Sequence, residues 1–308
     1  MSALLPKGLP AAEALAKEGI AVETFDAGGR AKDPDLVIAI LNLMPDKLAT
    51  ELQLIRMLAD GPRRVEILLF ATDSYMARVR DPDYSSANTP IDHMRAFYRS
   101  FSEVRDLDID GLIVTGAPVE RVPFEDVPYW DELLEIFRWA AERSTGVFSI
   151  CWAAQAALQH FHRVPKYVLD RKKFGVFDHR IERDSDLLAG FSKGFRIPVS
   201  RYSEIRREDL PDNADLVVVA DSEGSGLGLL EDRRLRHHFM FNHFEYDADT
   251  LQREYERDVQ SGEAIEPPFG YFPDDDPSNP PVANWRDDGR RMYQNWLAIL
   301  ERNKESEK

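Results

Sequence analysis

The stretch Gly146-Val-Phe-Ser-Ile-Cys151-Trp-Ala-Ala-Gln-Ala-Ala-Leu158 places a short apolar run directly before an alanine-rich segment. We predict a buried strand over 147–150 that runs into a helix, with Cys151, the only cysteine of 308 residues, at the junction. Unpaired N–H groups and the helix dipole favour a thiolate there, and the thiolate is the nucleophile. The pattern therefore predicts a catalytic cysteine on a strand-to-helix turn. The alternative is a buried cysteine that serves as a small hydrophobic residue.

The chain before this stretch alternates between apolar strands and amphipathic helices. Strands are predicted over 35–42, 65–70 and 109–114, and helices over 49–58, 90–101 and 129–142. This alternation predicts an α/β fold, a flavodoxin-like and mostly parallel sheet with helices on both faces. Ligands bind such sheets at the carboxyl ends of the strands. Because 42–45, 115–120 and Cys151 lie at those ends, the pattern favours the catalytic interpretation.

The second half has a different pattern. Short strands are predicted over 174–181, 195–202, 216–220 and 238–241, without long helices between them, which suits antiparallel hairpins added to the sheet. A polar helix over 247–262, with Asp247 at its N-cap, and a closing helix over 285–302 follow. We expect an irregular N-terminal arm over 1–34, with one helix near 11–18, and a single domain over 35–308.

Composition excludes several classes of protein. The net charge is −16, from 55 acidic and 39 basic residues, and such a chain would repel the phosphates of nucleic acid. No run approaches the roughly 18 apolar residues of a membrane span, and the N-terminus lacks a signal-peptide pattern, so we expect a cytoplasmic protein. One cysteine excludes a disulfide framework and a cysteine-rich zinc site. The run Asp274 to Asp276 suits a solvated turn, and we expect no metal and no bound cofactor.

A nucleophilic cysteine needs a base, and His243 is the candidate. It follows the apolar run 239–241 and stands two residues before Glu245, so both side chains face the same way along an extended chain. Glu245 would orient the imidazole and stabilise its charged form. The alternative is an ordinary loop histidine. Of the remaining histidines, His160 and His162 lie too far along the helix, His93 and His179 suit structural positions, and His237 and His238 are expected to be exposed.

Backbone N–H groups would stabilise an oxyanion beside this cysteine. The N–H of Trp152 is one candidate donor. The segment from Thr115 to Pro118 would supply the other from Gly116 or Ala117, because glycine allows a close approach of the backbone. An ordinary glycine turn explains the segment equally well.

Several motifs, spread over residues 35–300, resemble those of the homoserine O-acyltransferases, also called homoserine transsuccinylases, which have a class I glutamine-amidotransferase-like fold. The motifs are Leu41-Asn-Leu-Met-Pro45, Asp110-Gly-Leu-Ile-Val-Thr-Gly-Ala-Pro118, Tyr129-Trp130, Cys151-Trp-Ala-Ala-Gln-Ala-Ala, Phe174-Gly-Val-Phe, Ser200-Arg-Tyr202, His243-x-Glu-Tyr-Asp247, Tyr271-Phe-Pro273 and Asn284-Trp-Arg286. So many matches in order are specific to the family, and less specific to the exact substrate.

The resemblance implies a ping-pong acyl transfer. An acyl-CoA would acylate Cys151, and the hydroxyl of an amino acid would then attack the thioester, with His243 as base and Glu245 as its orienting acid. Substrate-binding roles for Lys172, Ser200 and Arg257 are implied, as is a homodimer. The positions that match the family's pattern are Lys172 before Lys173-Phe-Gly175, Ser200 before Arg-Tyr202, and Arg257 on the helix after Asp247.

Glu120 matches the position linked to acyl choice in the family, where glycine accompanies succinyl and glutamate accompanies acetyl. A carboxylate in the acyl pocket would repel the free carboxylate of succinyl-CoA and fill its space. We therefore expect acetyl-CoA as co-substrate, L-homoserine as acceptor and a place in methionine biosynthesis.

Two departures from the family pattern concern the acceptor. Phe244 replaces a usual proline between His243 and Glu245, and Asp46 precedes Lys47 where two basic residues are common. Serine is one methylene shorter than homoserine, a difference worth about 1–3 kcal/mol in a pocket, so a serine acetyltransferase is an alternative. Three more hypotheses stay open: succinyl-CoA as donor, a glutamine amidotransferase-type hydrolase, and a non-catalytic ligand-binding relative.

Overall fold

A computed structural model describes residues 3–143, 145–212 and 214–306. Residues 1–2 of the predicted N-terminal arm and residues 307–308 of the predicted domain therefore lie outside the described residues. The strands of the described chain are β1 (Ala3–Pro6), β2 (Val22–Phe25), β3 (Leu36–Leu41), β4 (Val65–Ala71), β5 (Arg99–Ser100), β6 (Gly111–Val114), β7 (Gly146–Ile150), β8 (Tyr167–Ile181), β9 (Gly194–Glu204), β10 (Leu216–Ser222), β11 (Gly226–Asp232) and β12 (His237–Met240).

All of these strands belong to one sheet, in the order β2-β1-β4-β3-β6-β7-β12-β11-β10-β8-β9, with β5 paired to β4. The strands from β2 to β12 pair in parallel, whereas β12 to β9 pair antiparallel. The predicted α/β class, with antiparallel strands added in the second half, is confirmed.

Helices cover both faces of the sheet. Their bounds are α1 (Pro10–Lys17), α2 (Lys47–Ala59), α3 (Asp73–Arg80), α4 (Ile91–Phe97), α5 (Phe101–Val104), α6 (Trp130–Glu142), α7 (Trp152–His162), α8 (Thr250–Gln260) and α9 (Arg286–Ser306). The apolar sides of α1, α2 and α9 form one core with one face of the sheet. Those of α5, α6 and α7 form a second core with the other face. The central strands are buried on both faces, which explains their continuous apolar sequences.

Four neighbouring parallel strands end at the same edge of the sheet. In spatial order they are β3, β6, β7 and β12, and their ends lead into 42–45, 115–118, Cys151 and 241–245. The sequence predicted that the first three meet. The fourth joins them because β12 runs parallel to β7, with Met240 opposite Ile150.

The N-terminal segment differs from the prediction of an irregular arm. β1 pairs in parallel with β2 and with β4, so residues 3–25 extend the parallel sheet. Leu5 and Leu15 are fully buried in the core on the α2 face. β1 and β2 have only four residues each, and β2 is largely exposed. An alternation of apolar and polar residues over so short a stretch does not distinguish a strand from a loop.

Three more element predictions need correction. The strand predicted at 238–241 as part of an antiparallel hairpin pairs antiparallel only with β11, and it pairs in parallel with β7. The sequence analysis did not predict α3 or β11. The predicted helix over 90–101 is interrupted by β5. The polar helix begins at Thr250 with Asp249 at its N-cap, while Asp247 instead accepts a hydrogen bond from Arg56 at 2.6 Å.

Candidate active site

Cys151 occupies a strained turn between β7 and α7. Its backbone angles are φ 54° and ψ −117°, a conformation that costs a non-glycine residue about 1–3 kcal/mol and tends to occur at functional sites. Its N–H donates to the carbonyl oxygen of Met240 at 2.7 Å, which ties the turn to β12. The side chain is 6 % exposed and lines a cleft. The junction predicted from the sequence is present, and the turn places the thiol in the wall of the cleft.

His243 and Glu245 lie beside this thiol. The Nδ1 atom of His243 is 2.6 Å from Oε1 of Glu245, and His243 lines the same cleft as Cys151. The backbone N–H of His243 donates to the carbonyl oxygen of Pro198 at 2.9 Å, and the ring stacks on Tyr246 with centroids 4.1 Å apart. The imidazole is thus held through its backbone, its Nδ1 atom and its ring face.

The surroundings of His243 favour its protonated form. Burial would lower the pKa of the imidazole, but the charge of Glu245 and the interaction with Cys151 outweigh it and raise the pKa well above 6.5. A protonated imidazole between a carboxylate and a sulfur can supply a proton to a leaving group and, once neutral, accept one from an attacking hydroxyl.

The predicted oxyanion donors surround the same sulfur. A Cβ atom on Gly116 would lie 3.3 Å from Cβ and 3.9 Å from Sγ of Cys151, so only glycine leaves the present space at this point. Gly116 and Ala117 both line the cleft of the thiol, and Trp152, the first residue of α7, directly follows it. Their role as oxyanion donors stays a prediction.

Two small cavities flank His243. One, of about 280 Å³, contains Cys151 and the predicted binding residues; the second, of about 250 Å³, opens toward α2 and is lined by Gln53 and Arg253. Both are lined by Met44, Gly116, His243, Tyr246, Glu254 and Arg257. A larger cavity of about 510 Å³, with Glu231 and His238 in its wall, lies away from this edge and contains none of the candidate residues.

Lys172 and Ser200 converge on one carboxylate, that of Glu254 on α8. Lys172 Nζ donates to Glu254 Oε2 and to Asp258 Oδ2, each at 2.9 Å. Ser200 Oγ donates to the same Glu254 oxygen, and Tyr246 Oη donates to the second oxygen at 3.0 Å. Burial alone would raise the pKa of Glu254, but Lys172 and the hydroxyl of Ser200 lower it, so this group is a carboxylate near neutral pH. The cluster thus holds fixed opposite charges beside the thiol.

Arg257 and Glu120 complete the wall of the cleft. Arg257 lies one turn after Glu254, is largely exposed, and donates from Nε and Nη2 to Asp258 Oδ1 at 2.8 and 2.6 Å. The Glu120 carboxylate accepts from the N–H of Tyr202 at 3.2 Å, and its burial raises its pKa. Both residues line the same cleft as the thiol.

The sequence analysis missed Glu254 and Tyr246, which line this cleft, and Asp258, which bonds to Lys172 and Arg257 beside it. Glu254, Arg257 and Asp258 recur at helical spacing, i, i+3 and i+4, so one face of α8 carries all three. That spacing was a usable signal, but on a polar helix it is common on solvated faces. Tyr246 directly follows Glu245, yet nothing in the sequence indicates that its ring stacks on the imidazole.

The remaining histidines are partly as predicted. His160 and His162 lie in the last turn of α7, far from Cys151, as expected. The expectation that His237 and His238 are exposed is wrong, since both are buried in β12. His237 Nε2 lies 2.7 Å from Ser149 Oγ. The preceding arginines suggested a surface segment, whereas β12 is a central strand between β7 and β11.

The departures from the family pattern have structural explanations. Phe244 is fully buried and packs on Phe195, with ring centroids 5.3 Å apart. Core contacts of its side chain thus fix the position that a rigid proline usually occupies in the family. Asp46 caps α2 by accepting from the N–H of Ala49. Lys47 is buried and donates to the carbonyl oxygens of Asn42 and Met44 at 2.6 and 3.0 Å, which fixes the loop after β3.

A mostly parallel sheet with helices on both faces and antiparallel strands added on one side is a fold that glutamine amidotransferases share. Solved structures with this fold include a glutamine amidotransferase from Thermotoga maritima, with a TM-score of 0.56 and 13% identity, covering 86% of this chain and 97% of that one. A glutamine amidotransferase from Methylobacillus flagellatus gives a TM-score of 0.52 at 16% identity, covering 87% of this chain and 95% of that one. At these identities the likeness establishes the fold alone.

Sequence comparison defines the family. The family model described as homoserine O-succinyltransferase matches residues 2–305. A homoserine O-acetyltransferase from Hyphomonas neptunium is 45% identical over 95% of this chain and 93% of its own length, and one from Acetivibrio thermocellus is 44% identical with the same coverage. The chain belongs to the homoserine O-succinyltransferase family, and the prediction of an acyltransferase enzyme is confirmed.

Proposed function

We propose that this enzyme is a homoserine O-acetyltransferase that carries an acetyl group from acetyl-CoA, through a thioester on Cys151, to the hydroxyl of L-homoserine. The observation that carries the proposal is the strained Cys151 turn, which shares one cleft with His243 and Glu120. The names of the 45% and 44% identical relatives support the choice of acetyl group and acceptor.

In the first half-reaction the Cys151 thiolate attacks the carbonyl carbon of acetyl-CoA. The oxyanion of the tetrahedral intermediate accepts hydrogen bonds from the N–H of Trp152 and from the backbone at Gly116 and Ala117. Collapse of the intermediate breaks the bond to the sulfur of CoA, and the protonated His243 gives its proton to that sulfur. The enzyme is left as a thioester with a neutral imidazole.

In the second half-reaction neutral His243 removes the proton from the acceptor hydroxyl as its oxygen attacks the thioester carbon. The same backbone groups stabilise the second oxyanion. Its collapse releases the O-acetyl ester and restores the Cys151 thiolate beside a protonated imidazole. Glu245 holds the ring in one orientation throughout and stabilises its charged form.

The acceptor is a zwitterion, and the cleft offers a complementary pair of charges. Glu254, anionic and directed into both cavities, suits the α-ammonium group. Arg257, which is exposed, suits the α-carboxylate through paired hydrogen bonds, while Lys172 and Ser200, which also line the cleft, position Glu254. This arrangement explains why an amino acid, rather than water or a simple alcohol, would accept the acyl group.

Glu120 is the proposed determinant of the donor. Its carboxylate occupies the cleft near the thiol, and a succinyl group would bring a second carboxylate into the same space. Like charges held together at low dielectric cost several kcal/mol, so acetyl is preferred. The same proposal places the reaction in methionine biosynthesis, with acetyl-CoA as co-substrate, no bound cofactor, and a cytoplasmic homodimer as the form of the enzyme.

The test is the release of CoA thiol by the purified enzyme in four mixtures, acetyl-CoA or succinyl-CoA, each with L-homoserine or L-serine. We expect acetyl-CoA with homoserine to give the highest kcat/KM. In Glu120→Gly the ratio of acetyl to succinyl transfer should fall by about 100-fold, while Glu125→Gly, which removes a nearby carboxylate outside the cleft lining, should leave the ratio unchanged. Preference for serine would reassign the acceptor, and an unchanged ratio in Glu120→Gly would refute the role of that residue.

A further inference from the structure

Tyr246 joins two groups of side chains that share the cleft. Its ring stacks on the imidazole of His243, with centroids 4.1 Å apart and an angle of 16° between the planes. Its hydroxyl donates to Oε1 of Glu254 at 3.0 Å. The side chain is buried and lines both cavities beside His243. One side chain therefore contacts the candidate base through its ring face and the carboxylate on α8 through its hydroxyl.

The backbone next to this ring is fixed by contacts outside the cleft. The indole N–H of Trp285, which is fully buried, donates to the carbonyl oxygen of Tyr246 at 3.0 Å. The next residue, Asp247, accepts from Arg56 on α2 at 2.6 Å. Trp285 and Arg56 line neither of the two cavities. The ring is thus held in place by the fold itself, as a preorganised site requires.

The hydrogen bonds of Glu254 leave room for a ligand on one of its oxygens. Oε2 accepts from Lys172 at 2.9 Å and from the hydroxyl of Ser200, whereas Oε1 accepts from Tyr246. An ionised carboxylate has about four acceptor sites, two on each oxygen. These donors therefore fill Oε2 and leave one site on Oε1, next to the tyrosine hydroxyl. Burial and the charge of Glu254 raise the pKa of Tyr246 well above 10, so the hydroxyl keeps its proton near neutral pH.

A carboxylate that is already held in one orientation loses less freedom when an ammonium group binds to it. We propose that Tyr246 is a positioning residue that links recognition of the acceptor to the base: its hydroxyl orients Glu254 so that Oε1 receives the ammonium group, and its ring holds the imidazole of His243 in place. This role rests on the proposed transfer of the acyl group to an amino acid. It implies that the ring and the hydroxyl act on different half-reactions.

Tyr246→Phe removes the hydroxyl and keeps the ring. NMR titration of L-homoserine into enzyme that also carries Cys151→Ala measures binding without chemistry. We expect Tyr246→Phe to raise Kd by about 10-fold, since a hydrogen bond to a charged group is lost. In the presence of Glu254→Gln the same change should alter Kd by less than about 2-fold, because the hydroxyl acts through that carboxylate. Tyr255→Phe, which removes a hydroxyl of α8 outside both cavities, is the matched control.

Tyr246→Leu removes the ring as well. Formation of the acyl-enzyme from acetyl-CoA alone, followed by mass spectrometry, should slow by about 10-fold in this variant and by no more than about 2-fold in Tyr246→Phe. Only the leucine variant leaves the imidazole without its stacking partner and free to leave its productive position. Circular dichroism shows whether each variant is folded. If Tyr246→Leu does not fold, Tyr246→Met tests the same contact.

An unchanged Kd in Tyr246→Phe, or the same rise with and without Glu254→Gln, would overturn the proposal. So would an unchanged rate of acylation in a folded Tyr246→Leu or Tyr246→Met. L-Homoserine that does not bind the Cys151→Ala enzyme would overturn both this role and the proposed acceptor. If L-homoserine binds but no acyl-enzyme forms in the wild type, the proposed acyl transfer fails, whereas a 10-fold rise in Kd that vanishes with Glu254→Gln still supports Tyr246 as the residue that orients the carboxylate.

Discussion

The two parts of the sheet contribute different groups to the same cleft. The parallel part supplies Cys151, His243 and the backbone at Gly116, all at strand ends that share one edge. The antiparallel part supplies Lys172 and Ser200 from β8 and β9, and both engage Glu254 on α8. The reacting groups thus lie on turns fixed by buried strands, and the groups suited to recognition lie on strands that were added to one side.

This difference predicts which step a substitution in each part should affect. The groups at the ends of the parallel strands lie on turns that backbone hydrogen bonds hold in place, such as the bond from Cys151 to Met240. The ionic cluster around Glu254 depends on long side chains that meet only in the folded protein. Substitutions in the first set should remove the chemical step, and those in the second should weaken the binding of the acceptor.

The largest effect is expected for Cys151→Ala. Without the sulfur no thioester can form, and kcat should fall by about 1,000-fold or more. Mass spectrometry of the intact protein after mixing with acetyl-CoA alone should show an acyl adduct on the wild type and none on the variant. If Cys151→Ala retained turnover, the reacting groups would not lie at the ends of the parallel strands.

Glu245→Gln should lower kcat by about 100-fold, because a neutral amide orients the imidazole but stabilises its cation poorly. The carboxylate helps to raise the pKa of His243 well above 6.5, so kcat/KM for the acyl donor should be lost at alkaline pH as His243 gives up its proton. In the variant this alkaline limb should move to lower pH. A limb that stays in place would show that Glu245 does not set the charge of the base.

Glu254→Gln tests the recognition side of the comparison. We expect KM for the amino-acid acceptor to rise by about 10-fold to 100-fold, since a charge-assisted hydrogen bond to the ammonium group is lost. Acylation by the donor alone should change little. Glu256→Gln, two residues along α8 and exposed, is the matched control. A variant slowed equally in both half-reactions would place Glu254 in the chemical step instead.

The smallest effect on catalysis is expected at His179, because the contribution of this residue is to stability. His179 has an ordinary pKa of 6.5 that burial lowers to about 4 in the folded protein, so the unfolded chain binds more protons in this interval. Its contribution is present above pH 6.5 and is lost as the pH falls toward 4, by roughly 3 kcal/mol. Urea unfolding of wild type and His179→Gln from pH 7 to pH 4 should show the difference in free energy shrinking. A constant difference would contradict the buried neutral imidazole.

The predicted fold was confirmed where the signal was local, and the predicted site residues lie at one edge of the sheet, where their roles stay predictions. The apolar runs before Asn42, Thr115 and Cys151 predicted buried parallel strands, and the rule that their ends share an edge predicted one cleft. The first 25 residues were misjudged because four-residue strands carry little periodicity. His237 and His238 were misjudged because neighbouring arginines suggested exposure, whereas the position of β12 between β7 and β11 buries them.

By itself, the sequence determined the α/β class, the cysteine at a strand-to-helix turn and a histidine paired with Glu245. These features depend on residues close together in the chain, whose periodicity and spacing express backbone geometry directly. Only the tertiary structure decided that β12 lies parallel to β7, that Lys172 and Ser200 bond to Glu254, and that the buried guanidinium of Arg201 bonds to Asn242. The side-chain contacts among these join residues 41 to 82 positions apart, and packing rather than local preference chooses which buried polar groups meet.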